Sequence, residues 1–190
     1  LTFDATLAGD NKVNAAEDNT FTVSGTSTGV VGRTVTFTVA DATHPAVTGT
    51  AVVQANGTWS SNVDVSSLTN GNLTIAADVS DAASNAATQI TKTVSLDNVA
   101  PTVAITDDES GTGNIAGGDI TYTFTFAEPV TGFDASDVTV AHGAKGTFTA
   151  VSSTEYTLVV TPTAGYEGNV TVDIAASAAI DASNNPSIAA

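Results

Sequence analysis

Short runs of alternating apolar and polar residues recur along the whole chain. The clearest are Val35-Thr36-Phe37-Thr38-Val39 and Thr121-Tyr122-Thr123-Phe124-Thr125-Phe126. A period of two sends one side of a run into a core and the other into water, the pattern of a half-buried β-strand. In the first half, runs at 2–7, 20–24, 34–39, 47–54, 58–65, 72–79 and 89–96 predict strands. In the second half the runs fall at 102–105, 120–126, 138–140, 146–151, 155–161 and 169–175, with a last short one near 186–189. Asn56-Gly57 and Asn70-Gly71 lie between runs, and Asn-Gly supplies the positive φ that tight turns require. No stretch carries the 3.6-residue period and the caps of a helix. Seven short strands per half, joined by turns, predict an all-β chain of two sandwiches.

The division is expected at Asp97-Asn98-Val99-Ala100-Pro101, giving modules at 1–98 and 99–190. Pro101 has no amide hydrogen and suits the entry of a first strand. An internal echo supports the division. Asp81-Ala82-Ala83-Ser84-Asn85 precedes the last strand of the first half, and Asp181-Ala182-Ser183-Asn184-Asn185 stands in the same place in the second. The lone Trp59 follows a turn inside a strand-like run, so its expected place is the core.

Composition adds a charge problem. The chain has 190 residues, 42% of them hydrophobic, which is a globular proportion. Against 4 Lys and Arg stand 20 Asp and Glu, for a formal net charge of −16. Such a chain repels nucleic acid and anionic membranes, so neither is an expected partner. The carboxylates need screening by solvent or neutralisation by cations. Cys is absent, so disulfides and thiolate metal sites are excluded. No signal-peptide pattern or long apolar run is present, and the opening Leu1-Thr2-Phe3 already reads as strand. The chain is expected to be an excerpt of something longer.

In a seven-strand sandwich with strands A to G, the A–B, C–D and E–F loops share one pole and the B–C, D–E and F–G loops the other. The first module then brings Asp10, Asn11, Asn14, Glu17 and Asp18 of its A–B region, and Asp97 at its end, to the pole facing the second module. The second brings Glu128, Asp134, Asp137, Asp181 and Asn184 to the facing pole. Ca²⁺ takes six to eight hard oxygens in a flexible shell, whereas Mg²⁺ wants a tight octahedron and keeps its water. Shared Ca²⁺ coordination by Asp97, Glu128 and Asp181 is therefore expected, with Asp134, Asp137, Asn11 and Asp10 as further ligands. Asp81 near Asp4 or Asn85, and Asp107, Asp108, Glu109, Asn114 and Asp119, are expected at the outer poles.

Other chemistry finds little support. Gly111-Thr112-Gly113-Asn114 has the look of a calcium β-roll turn, but such solenoids need stacked repeats. Threonine rows such as Thr121, Thr123 and Thr125 also occur on ordinary strands. His44 and His142 lie in turn-like contexts with no shared ligand spacing. No nucleophile has a motif that supplies its base, so no enzyme is expected.

Specific stretches do carry a resemblance. The first half has Asp10-Asn11-Lys12-Val13-Asn14, Val23-Ser24-Gly25-Thr26, Asn56-Gly57-Thr58-Trp59-Ser60 and Asp78-Val79-Ser80-Asp81-Ala82-Ala83-Ser84-Asn85. The second has Phe126-Ala127-Glu128-Pro129-Val130, Phe133-Asp134-Ala135-Ser136-Asp137-Val138-Thr139-Val140 and Asp181-Ala182-Ser183-Asn184-Asn185-Pro186. Together they resemble the tandem bacterial immunoglobulin-like modules of giant repetitive adhesins exported by Type I secretion. Ser84 stands where that family's Asp-x-Ala-Gly-Asn turn has Gly, and Ala127 where it usually has Ser. The resemblance implies two immunoglobulin-like Greek-key sandwiches that bind calcium at and near their joints. It also implies an extracellular extender, supporting adhesion or biofilm formation, that projects a separate adhesive domain. The expected partners are neighbouring modules of the same chain, with no membrane insertion and a monomer in isolation. The rival reading is a module whose own loops grip a glycan or host protein, for which Tyr166 is the one aromatic near a loop.

Overall fold

The computed structural model describes residues 1–109 and 118–190, and its contacts divide the chain into Leu1–Val99 and Ala100–Ala190. The Gly111–Asn114 motif lies outside the described residues. Among those that are described, no helix is long and apolar enough to cross a membrane.

The first unit holds β1 (Thr2–Phe3), β2 (Lys12–Val13), β3 (Phe21–Thr26), β4 (Thr34–Ala40), β5 (Val47–Val52), β6 (Thr58–Val63), β7 (Gly71–Val79) and β8 (Ile90–Leu96). They form a three-stranded sheet, β1-β3-β6, and a five-stranded sheet, β2-β8-β7-β4-β5. The alternation read from sequence sets the layers: in β4, Val35, Phe37 and Val39 are buried, while Thr34 and Thr36 face solvent. The expected strand at 2–7 is cut short. Ala8, Gly9 and Asn11 adopt positive φ, and the chain turns there before Lys12 and Val13 pair in parallel with Ser95 and Leu96 of β8. The first strand thus contributes to both sheets, a switch that alternation cannot reveal.

Trp59 fills the centre of this unit at 1% exposure. Its ring meets Phe3 edge-on at 5.8 Å and Phe37 at 6.3 Å. Gly25 is its cross-strand partner, and a Cβ there would lie 2.7 Å from Trp59 Cζ2. The glycine is the space in which the indole lies. One cost remains, because the buried Trp59 Nε1–H has no hydrogen-bond partner.

The second unit holds β9 (Val103–Asp107), β10 (Ile120–Phe126), β11 (Val138–Ala141), β12 (Gly143–Ala150), β13 (Glu155–Pro162) and β14 (Thr171–Ile174). One sheet has the order β12-β13-β10-β9, and β11 pairs with β14. Its core is built from several smaller rings. Phe133 packs edge-on against Phe124, Phe126, Phe148 and Tyr156 at 5.1–5.7 Å. Where Trp59 faces Gly25 in the first unit, Tyr156 faces Phe124 here, so ring mass is redistributed across the same kind of strand pair. The expected strand near 186–189 forms no ladder. Pro186 cannot donate, and the tail bonds piecemeal: Ile188 N donates to Pro101 O, while Ile174 and Ala190 exchange two backbone bonds.

Candidate metal centre

Asp181 sits in the loop that follows β14. The loop closes through Asp181 N to Asn185 O (3.2 Å) and turns back at Asn184, whose φ is +64°. Asn tolerates that conformation better than most residues. The Asp181 side chain organises the turn. Its Oδ1 accepts from Ser183 N (2.7 Å) and Asn185 N (2.8 Å), and its Oδ2 accepts from Asn185 Nδ2 (2.8 Å). Asp181 is 4% exposed and Asn185 1%. A buried carboxylate held by three donors has a fixed orientation and retains lone pairs for a further partner.

Glu128 lies just beyond β10, and Asp97 directly follows β8 with its amide bonded to Val13 O. Both are half-buried. Asp97, Glu128 and Asp181 each bring a carboxylate oxygen within 4.8 Å of the other two. Three carboxylates at that range repel strongly unless a cation or protons intervene. An all-oxygen donor set suits a hard cation, and mono- or bidentate carboxylates fit the loose shell of Ca²⁺ better than the nitrogen and sulfur preference of Zn²⁺. Among the described residues, this is the one group of three or more Asp, Glu, His or Cys side chains so gathered.

The other expected ligands are occupied locally. Asp134 Oδ1 accepts from Ser136 N and Oγ, both at 2.6 Å; these bonds, with the charge of Lys145, hold its carboxyl below the usual range. Asp137 Oδ2 accepts from Asp134 N. Asn11 Oδ1 accepts from Leu7 N, and Asp10 Oδ1 from Lys12 N. Asp107 accepts from Glu109 N, and Asp108 from Thr121 N, which lowers the Asp108 carboxyl. Asp81 reproduces the Asp181 turn: Oδ1 accepts from Ala83 N and Asn85 N, and Oδ2 from Asn85 Nδ2. Asp10, Asp81, Asp107, Asp108, Asp134 and Asp137 stand outside the gathered group.

Sequence reasoning ranked two features too low. Asn185 is the buried clamp on Asp181, signalled by the Asp-x-x-x-Asn spacing that recurs at Asp81 and Asn85. Asp41 was not singled out at all. Its side chain is 4% exposed and accepts from the amides of Thr43, His44 and Thr69, with His44 Nδ1 at 2.7 Å. The backbone donors of His44 and Thr69, foremost, pull its carboxyl far below the ordinary range. That carboxylate ties the loop after β4 to the loop after β6. Only the Asp-x-Thr-His spacing hinted at it. His142, by contrast, stacks flat on Tyr166, 3.9 Å away.

Comparisons with known proteins agree with the architecture. No curated protein matches the chain significantly. A crystal structure of a tetra-tandem repeat in the extending region of a large adhesion protein is 26% identical, covering 97% of this chain and 47% of that one, with a TM-score of 0.42. A structure bearing on host cell surface retention of a 1.5-MDa bacterial ice-binding adhesin is 20% identical, covering 97% and 60%, with a TM-score of 0.51. The chain thus spans about half to three-fifths of the solved proteins it is similar to. The second likeness shows a shared fold. It is residues 97–190, the segment that contains Asp97, Glu128 and Asp181, that match the family model of the bacterial Ig-like domain.

Proposed function

We propose that this chain is a pair of extender modules from the stalk of a large bacterial surface adhesin, and that Ca²⁺ bound by Asp97, Glu128 and Asp181 stiffens the passage from one module to the next. The observation that carries the reading is the meeting of these three carboxylates within 4.8 Å. Asp97 lies four residues before Pro101, so an ion tied to it acts on the segment between the modules. Extracellular modules function with calcium affinities of about 10⁻⁴–10⁻³ M. A cation bound only by the ordered arrangement stabilises that arrangement by linkage. Without it, the carboxylates repel and the segment loosens. The role is mechanical, the address is the bacterial surface or the medium, and catalysis has no part in it.

The rival reading, direct grip of a glycan or host protein, would need an open aromatic surface. One face of Tyr166 is already covered by His142. Small-angle scattering with and without calcium tests the proposal, using Asp97→Asn/Asp181→Asn as the variant. The parent's distribution of interatomic distances should narrow in calcium, and that of the variant should not. Equal narrowing in both would refute the assignment.

A further inference from the structure

The two Asp-x-x-x-Asn turns are built alike but stand in opposite electrostatic settings. Around Asp81 the bonds to Ala83 N, Asn85 N and Asn85 Nδ2 measure 2.8–2.9 Å; around Asp181 the matching three measure 2.7–2.8 Å. Ser84 and Asn184 share positive φ, at +68° and +64°. Each turn is closed by an isolated bridge, Ser80 to Ala86 and Ile180 to Pro186. The segments beside them differ. Between β10 and β11 of the second unit lie Glu128, Asp134 and Asp137. Between β3 and β4 of the first unit, residues 27–33 read Ser-Thr-Gly-Val-Val-Gly-Arg, with no acid and a terminal arginine.

That arginine is the only one in the chain. Its backbone is held by Val30 O and Val53 N, and its Nε donates to Ser80 O at 3.2 Å, one residue from Asp81. The guanidinium is therefore anchored beside the turn, and its charge adds to the Asn85 and Ala83 hydrogen bonds that chiefly hold the Asp81 carboxyl below its usual range. Asp78, Ser80 and Arg33 also line one open cavity of about 290 Å³. An arginine is permanently charged and needs no supply from the medium.

We infer that Arg33 is a built-in counter-charge for the Asp81 turn, so that this end of the first unit keeps without calcium the geometry for which the Asp181 turn uses a bound cation. The comparison with Asp181 rests on the calcium reading above; the Arg33–Asp81 coupling does not. The consequence is a division of labour in which calcium depletion loosens the Asp181 turn and spares the Asp81 turn.

A double-mutant cycle on the full chain, run in EDTA, tests the coupling. Trp59 is the sole tryptophan, so its fluorescence reports the first unit alone. Arg33→Gln should lower the thermal midpoint by a few degrees, as expected for an anchored, partly screened charge pair. Arg33→Lys should restore part of the loss, and Arg33→Gln should have no further effect in an Asp81→Asn background. A loss of the same size with and without Asp81, or no loss at all, overturns the inference. A second arm measures the calcium-induced shift of the same transition in Asp81→Asn. It should match the parent, and a reduced shift would make Asp81 a calcium ligand and overturn the inference. Absence of any calcium shift in the parent would instead sink the calcium reading, leaving the cycle in EDTA to decide on Arg33.

Discussion

Gly25→Ala is a one-carbon change with a sign that the packing around Trp59 decides. At an accommodating site, Gly→Ala stabilises by about 0.4–1 kcal/mol, because the unfolded chain loses freedom. At position 25 the added Cβ would overlap the carbonyl oxygen of Thr2 and stand 2.7 and 2.9 Å from two indole carbons of Trp59. The carbonyl belongs to β1, which pairs Phe3 with Gly25, so it cannot retreat without lifting β1 off the sheet. Overpacking of a tight core costs about 1–3 kcal/mol. Displacing β1 also weakens the Phe3–Trp59 edge contact, and such contacts are worth about 0.5–1.5 kcal/mol. Set against the small entropic gain, the net expectation is a loss of about 2 kcal/mol, or a fall in Tm of roughly 8–16 °C for a unit of this size. Urea and thermal unfolding followed by Trp59 emission measure it directly, and the folded-state spectrum should change as well. A control is Gly146→Ala in the second unit, followed by calorimetry because Trp59 does not report that unit; its Cβ would stand 3.1 Å from Val159 O and the effect should be much smaller. An unchanged or raised midpoint for Gly25→Ala would mean that the indole does not rest on this glycine.

Further expectations follow from particular contacts. Trp59→Ala should cost about 3–5 kcal/mol by equilibrium unfolding. Trp59→Phe should cost less than half of that, since it also removes an N–H that is buried without a partner. Asp41 has a depressed carboxyl, so its stabilising effect is complete above the unfolded-state value of about 3.9 and is lost only as pH falls through the lower folded-state value. Carbon-detected NMR should find Asp41 still ionised at a pH where most other carboxylates have protonated, and Asp41→Asn should lower Tm at neutral pH. Asn185→Leu removes the clamp that orients Asp181 and should weaken calcium binding about 10–100-fold by calorimetry, as loss of a hydrogen-bond partner that orients a metal ligand commonly does.

Much of the fold was legible in the chain because half-buried strands announce themselves by alternation. Val35 to Val39 and Thr121 to Phe126 lie where the pattern placed them, and Gly57 takes the positive φ that Asn56-Gly57 implied. What alternation cannot encode is a change of partner. The transfer of the first strand between sheets through Ala8, Gly9 and Asn11 depends on three backbone dihedrals, and the ladderless tail after Pro186 depends on one missing donor. At the candidate metal centre, up-and-down topology alone grouped Asp97, Glu128 and Asp181, whose carboxylate oxygens lie within 4.8 Å of one another. It placed Asp134 behind them but still among the further ligands, because whether a carboxylate turns outward or accepts its neighbour's amide, as Asp134 does from Ser136, is settled over two residues of local geometry. The buried carboxylate of Asp41 was missed for a related reason: its donors come from residue 69 as well as from its own turn.

Calorimetric titration of the full chain at constant ionic strength tests most directly whether Asp97, Glu128 and Asp181 share one calcium ion. Parent and Glu128→Gln are compared, because glutamine keeps the shape of glutamate while removing its charge. The parent should bind calcium in about the 10⁻⁴–10⁻³ M range, and the variant should lose this site or bind at least roughly tenfold more weakly, with a matched NaCl titration giving no comparable heat. A Glu128→Gln isotherm that superimposes on the parent's would contradict the shared site.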